Sequence, residues 1–445
     1  MVWSPDAARS FVTWTLAHGI QRRLILRSAR RGDLLSRLSI DPAVAADPFP
    51  SYDLLRAQGP LVGNGFIHGT ATHAVGDEIL RSDAFGTGGG HAELPGPLRR
   101  LHDRIADPDA LGPVDPPSML VVDPPHHTRL RKQVARAFTA RRVGRMADRV
   151  ESVAGSLLDA LEGDADFDLV ERYASLLPVA VIADLLGVPE RDHRRLLELG
   201  NQAAVTLDPA LTWRQYQRAE AALRDMHRWF ADHVSRLARD PGEDLLSQLL
   251  LLEGTDRLTR TELHQVGLLV LGAGFETTVN LIGNAVALLD GHPDQLRWLQ
   301  DNPDGWPNAV EEVLRHQSPV QMTMRAALRD VEVAGVHLAQ GEAALVFLGG
   351  ANRDPDVFSD PERFDVTRTN AADHLGFAAG VHFCLGASLA RLEAAVALRT
   401  LYERHPGLRI AGRTERRGTR VLRGFERLPV STSAGTGMQE SPVNR

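Results

Sequence analysis

The chain has 445 residues, 43% of them hydrophobic and 24% charged, which is an ordinary soluble globular balance. A net charge of −7 argues against nucleic acid as the main partner. One cysteine, Cys384, excludes an internal disulfide and a multi-cysteine zinc site, and it suits a reducing cytoplasm.

The first 31 residues, MVWSPDAARSFVTWTLAHGIQRRLILRSARR, lack a secretory n-region and cleavage site. Charges break their apolar runs too often for a transmembrane anchor. Six arginines against Asp6 leave a basic amphipathic segment. It reads as a helix packed on its own protein, with weak membrane-surface contact as the other reading. Residues 60–75 (PLVGNGFIHGTATHAV) and 331–349 (VEVAGVHLAQGEAALVFLG) are strand-like, with Gly335 and Gly341 as turn punctuation. Residues 85–125 are rich in Gly, Pro and Asp and too long for a plain connector, so a binding lid is expected there.

In DPPHHTRLRKQVARAF (123–138) two prolines open a helix that puts His127 and Arg131 four apart on one face. Arg129, Lys132 and Arg136 form a separate basic stripe. Residues 142–163 and 214–237 carry apolar positions at helical spacing. LLVLGAGFETTVNLIGNAVALL (268–289) is apolar on nearly every face and predicts a helix through the core. Glycine inside it costs about 1 kcal/mol against alanine, so Gly274 asks for a reason. Small Ala273 and Gly274 would leave a notch, with Glu276 and Thr277 beside it as an acid and an alcohol able to relay protons. AVEEVLRHQSPV (309–320) places Glu312 and Arg315 on one helix face.

HLGFAAGVHFCLGASLARLE (374–393) sets Cys384 among glycines just ahead of a helical run. Unpaired N–H groups at that helix start favour a thiolate. A thiolate there suits a nucleophile, a redox sensor or a metal ligand.

The stretch 377–386, FAAGVHFCLG, resembles the haem-binding loop of the cytochrome P450 family, Phe-Gly-x-Gly-x-His-x-Cys-x-Gly, with Ala378 in place of the first glycine. The core helix, Glu312-x-x-Arg315, the 123–138 stretch and ANRDPDVFSDPERFD (351–365) resemble further family motifs in the family's order. The resemblance implies a mainly α fold with a small β-rich part, haem b being buried between the oxygen-binding helix and the cysteine loop. It implies one catalytic domain over 41–431, after an N-terminal extension (1–40) and before a disordered tail (432–445).

By the same resemblance Cys384 is the haem ligand, in a loop with Phe377, His382 and Gly386. Ala273 and Gly274 border the haem, Glu276 and Thr277 are catalytic, and His127, Arg131, Arg325 and His382 meet its propionates. Arg363 in PERF would complete a brace with Glu312 and Arg315, Arg368 being the alternative. Phe275, Val320, Met322 and Thr323 would line the substrate pocket. The implied activity is insertion of one oxygen atom from O2 into a C–H bond or double bond of an apolar small molecule. The electrons would come from NAD(P)H through a separate ferredoxin and ferredoxin reductase, the ferredoxin docking on the Arg129, Lys132 and Arg136 stripe. A monomeric cytoplasmic bacterial enzyme is expected. The alternatives are a peroxygenase using hydrogen peroxide and a non-catalytic haem protein that binds a ligand.

Overall fold

The structure is a computed structural model that describes residues 5–87, 107–252 and 257–432, with positions 100, 104 and 254. Residues 433–445 of the expected tail, and most of the expected lid between 88 and 106, lie outside the described residues.

Helices α1 (Pro5–Trp14) and α2 (Ile20–Arg30) are joined by a π-helical turn, Thr15–Gly19, and followed by α3 (Leu34–Ile40). β1 (Val62–Gly63) and β2 (His68–Thr70) match the strand-like reading of 60–75, but helix α4 (His73–Arg81) begins inside that stretch. Its Val75, Ile79 and Leu80 are spaced to bury one helical face. β3 (Phe85–Gly86) closes this part. The helical body then comprises α5 (His126–Val134), α6 (Ala147–Asp159), α7 (Leu176–Leu186), α8 (Glu190–Ala204), α9 (Trp213–Leu237), α10 (Arg260–Gly291), α11 (Trp306–His316) and α12 (Ala387–Arg404).

α10 is the axis of this body, packed by α7, α8, α9 and α12. Thr259 caps it by accepting from the Glu262 N–H at 3.2 Å, while the Glu262 carboxylate accepts from the Thr259 N–H at 2.8 Å. Among the described residues α10 is the one helix long and apolar enough to cross a membrane, yet 72% of its most apolar window is buried inside the fold. Its hydrophobicity therefore builds the core.

Beside β1–β3 the strands are β4 (Asp166–Asp168), β5 (Thr323–Ala327), β6 (Val331–Val333), β7 (Val336–Leu338), β8 (Ala343–Val346), β9 (Arg409–Ile410), β10 (Glu415–Arg416), β11 (Phe425–Arg427) and β12 (Pro429–Ser431). The main sheet has the order β1-β2-β8-β5-β3, with β2 parallel to β8 and the other pairs antiparallel. β6 and β7 form the hairpin expected around Gly335. In β5, Thr323 and Arg325 share a face, and the Arg325 guanidinium donates to the Thr323 hydroxyl at 3.1 Å.

The cysteine loop is held from behind by a buried polar centre. Arg315 donates twice to Glu312, at 2.7 and 2.8 Å, with both side chains fully buried. It also donates to the carbonyls of Asn352 (3.1 Å), Pro361 (2.8 Å) and Arg363 (3.0 Å). The Asn352 side chain in turn accepts from the Leu375 N–H at 2.6 Å, which ties this centre to the start of the cysteine loop. The expected third member, Arg363, contributes only its carbonyl. Its side chain is 65% exposed and lies 3.6 Å from Asp365. Arg368 takes the place instead, 3.3 Å from Glu312, because the chain turns back after Phe364 and brings it inward.

His316 closes the same centre. Its Nε2 donates to the Glu362 carbonyl at 2.8 Å, so Nδ1 is the acceptor facing Arg353, 3.1 Å away. Burial, Arg353 and Arg315, with His292 adding a smaller effect, hold its pKa down to about 3. A histidine depressed in the fold leaves the unfolded chain binding more protons between about pH 6.5 and 3. The stability it permits is thus complete above pH 6.5 and lost as the pH falls. We expect His316→Gln, which keeps a donor for Glu362, to lose about 3 kcal/mol less than the parent between pH 6.5 and 4 in urea unfolding. Parallel acid profiles for the two proteins would contradict this.

Candidate functional site

Cys384 is the single free thiol and is half-buried, two residues before Gly386, the N-cap of α12. Its N–H donates to the Phe377 carbonyl at 3.0 Å, which closes the loop. Burial pushes the thiol up, while the Gly386 N–H, Arg131 and Arg391 pull it down. Burial outweighs these three influences in the chain alone. A bound metal cation deprotonates a coordinating thiol outright.

The loop's backbone is tightly constrained. Gly380 has φ +69, and a Cβ on it would meet the Leu80 carbonyl oxygen at 2.2 Å, at the C-terminal end of α4. Ala378 also sits in the left-handed region, with φ 56. Its methyl group is accommodated there at a cost of about 1–2 kcal/mol. From α11, Glu311 receives Arg391 at 2.5 and 3.0 Å and lies 3.1 Å from His374, so one carboxylate ties the loop to α12. Those two partners hold Glu311 down to about 2 against its burial. Arg391 also stacks over Phe377, 4.6 Å from the ring centre.

Four basic side chains meet beside the loop. The rings of His127 (α5) and His382 (loop) lie 4.2 Å apart, and Arg131 donates to the Phe383 carbonyl at 2.6 Å. Burial, His127 and Arg325 hold His382 down to about 4, with Asp123, 3.5 Å away, opposing them. Burial and Arg131 likewise lower His127. Arg325 is buried, held down to about 10, and its hydrogen bonds go only to Thr323 and the Met324 carbonyl. Nε2 of His127 is buried without a hydrogen-bond partner, and Nε2 of His382 has only the Asp123 carboxylate, 3.5 Å away. Asp123 is mostly occupied by the Thr87 N–H and hydroxyl. The cluster therefore lacks negative charge.

One face of α10 borders open space. Ala273 is exposed in mid-helix, Thr277 is half-buried, and nothing lies within 4 Å of a Cβ placed on Gly272. The Thr277 hydroxyl donates to the Ala273 carbonyl at 2.9 Å. Gly274 faces α7 instead, where a Cβ would meet Ile182 at 2.8 Å, so its smallness serves helix packing and not the notch. Phe275 is fully buried against Gly200 of α8, about 200° round the helix from Ala273. It does not join that face. Glu276 is buried and ion-paired with Arg417, Nη1 to Oε1 at 2.5 Å. Burial raises its carboxyl and Arg417 opposes this.

Met322 also departs from its expected place. It is buried in a small core with Tyr52 and Phe347, on the opposite face of the strand from Thr323. Half-buried Val320 bridges to Leu422. Arg129 leaves the basic stripe by pairing with Glu262 at the α10 cap, so only Lys132 and Arg136 remain exposed.

A family description, cytochrome P450, matches residues 307–405. A Mycobacterium tuberculosis protein named cytochrome P450 140 is 48% identical over 430 residues, covering 96% of this chain and 98% of that one. The chain belongs to the cytochrome P450 family. The 6-deoxyerythronolide B hydroxylase of Saccharopolyspora erythraea is 44% identical over 69% of this chain and 76% of its own length. A crystal structure of Mycobacterium smegmatis CYP164A2 has a TM-score of 0.81 at 35% identity, covering 89% of this P450 and 99% of that chain. The cofactor is therefore protoporphyrin IX haem and the reaction class is monooxygenation.

The residues fit that group. A buried cluster short of anions suits two carboxylates, the α10 face offers space, and Cys384 offers the sulfur. Sequence reasoning missed Glu311, Asn352, Asp123 and Arg417. Glu311, Asn352 and Asp123 stand inside motifs read above, but all four are separated from their partners by 23 residues or more in chain order.

The loop's two left-handed residues give a contrast to measure. Gly380→Ala should cost about 3 kcal/mol, from overpacking on Leu80 and backbone strain. Ala378→Gly should change stability by less than about 1 kcal/mol, since relieved strain offsets added chain entropy and a lost methyl contact. Thermal melts of the haem-loaded variants check both, and equal losses would contradict this reading.

Proposed function

We propose that this P450 hydroxylates an apolar small molecule with O2, drawing electrons from a separate ferredoxin and its reductase. The observation that carries the reading is the cluster of two arginines and two histidines short of anions beside Cys384, in a fold whose core helix leaves Ala273 exposed and Thr277 half-buried. In this reading Cys384 ligates the haem iron, while His127, Arg131, Arg325 and His382 hold its propionates. Haem would supply, when bound, the activation of dioxygen and the transfer of one oxygen atom, and the Cys384 thiolate would favour O–O cleavage.

The chain's own part is to hold and move protons. The Thr277 hydroxyl rests on the Ala273 carbonyl at 2.9 Å and turns from it to donate into the open space. Glu276 starts on Arg417 and must release it to pass a proton toward Thr277. Lys132 and Arg136 remain exposed on and just beyond α5, and they suit an acidic ferredoxin.

Relatives named 6-deoxyerythronolide B hydroxylase and vitamin D(3) 25-hydroxylase support hydroxylation as the reaction. Solved neighbours hold testosterone, myristic acid or a hexadecenoic acid carried on acyl carrier protein, all largely apolar. An apolar polyketide, steroid or acyl chain is the substrate class this supports.

Thr277→Ala should keep the haem spectrum and the ligand-induced spin shift, yet give roughly a tenth or less of the parent's product per NAD(P)H, with more peroxide released. Product and peroxide would be measured with surrogate ferredoxin partners and a ligand found by spin-shift screening. Unchanged coupling would remove Thr277 from proton delivery.

A further inference from the structure

The inner face of the N-terminal helix pair is fastened to α9 and to the turn before it. The Ser10 hydroxyl donates to the buried carboxylate of Glu220 at 2.9 Å, and the Trp14 indole N–H donates to the Leu211 carbonyl at 3.0 Å. Arg22 donates to the Ala210 carbonyl at 3.0 Å, and Trp14 packs on Trp213 with ring centres 5.6 Å apart. These contacts fix which way the outer face points. On α2 the exposed positions are Ile20, Arg23, Leu24, Arg27 and Arg30. At about 100° per residue they fall within an arc of about 120°. Ile20 is 46% exposed and Leu24 56%, and Val12 on α1 is 42% exposed.

The charge is segregated as well. No Asp or Glu occurs from Ala7 to Gly32, in a chain whose net charge is −7. The outer face of α2 therefore sets two large aliphatic side chains beside the exposed Arg23, Arg27 and Arg30. An anionic lipid surface satisfies both sets at once, since the aliphatic groups enter the acyl boundary while guanidinium groups meet phosphates.

We propose that the outer face of α2, with Val12, docks this protein reversibly on anionic membranes. α9, which carries the helix pair, also holds the described end of the long loop: Arg224 donates to Asp107 at 2.9 Å, and His227 Nε2 lies 2.8 Å from the Leu111 carbonyl. Docking through α2 therefore orients the loop side of α9 relative to the lipid, where apolar substrates partition. The surface stands independently of the monooxygenase chemistry.

The test is co-sedimentation of the full haem-loaded chain with vesicles of phosphatidylcholine, with and without phosphatidylglycerol. Binding is expected only with phosphatidylglycerol, and added salt should release it. The triple variant Arg23→Gln, Arg27→Gln, Arg30→Gln should bind roughly 100-fold more weakly. The double variant Ile20→Asp, Leu24→Asp should also lose binding, and both should keep the parent's haem spectrum and melting temperature. No binding, equal binding to neutral vesicles, or unchanged binding by either variant would overturn the proposal. So would a face that captures a protein partner while ignoring lipid. Any of these results leaves the turnover assays untouched, so the docking face fails or stands by itself.

Discussion

The Arg315 guanidinium, fully buried, donates to Glu312 and to three backbone carbonyls on the segment that leads into the cysteine loop. A buried ion pair is a weak source of net stability, since desolvation offsets the Coulomb gain. Its consequence here is geometric. Once every donor of Arg315 is committed, the backbone at Asn352, Pro361 and Arg363 has little freedom. Asn352 then carries that order to Leu375, at the start of the loop. Glu311, from the neighbouring turn of α11, fixes the other flank through His374 and Arg391. The position of Cys384 is set by this polar centre and by the tight seat of Gly380 on α4.

The charge pattern around the loop completes the argument. Buried guanidiniums and unpartnered imidazoles are costly, and a fold does not gather Arg131 and Arg325 with His127 and His382 against a single carboxylate without reason. The cluster stores a requirement for two acidic groups. The half-buried Cys384 thiol beside the cluster is a ligand for a metal cation, which would deprotonate it. Haem answers both, with carboxylates at its edge and iron at its centre. On α10 the Glu276 carboxylate is held by Arg417 and not by Thr277.

Much of this was legible in the sequence because its signals are local. The apolar run of α10, the Glu312–Arg315 spacing and the glycines around Cys384 are each contained within a few turns of chain. What was not legible depends on contacts across the fold. Arg363 and Arg368 are both arginines near the same turn, and only the path of the chain after Phe364 decides which one reaches Glu312. Gly274 looked like a notch for a ligand, but its neighbour is Ile182 of α7. Phe275 and Met322 are apolar residues next to real site positions, and helix and strand periodicity turns both into the core. For Cys384 the helix start is visible in sequence and the depth of burial is not.

The central claim is the bond between the Cys384 sulfur and iron. The most direct measurement is the absorption spectrum of the purified, haem-loaded chain, reduced and exposed to carbon monoxide. A thiolate-type Soret band, absent from Cys384→Ala, is the predicted result. An imidazole-type band in the parent protein, or a thiolate-type band surviving in the variant, would contradict the account.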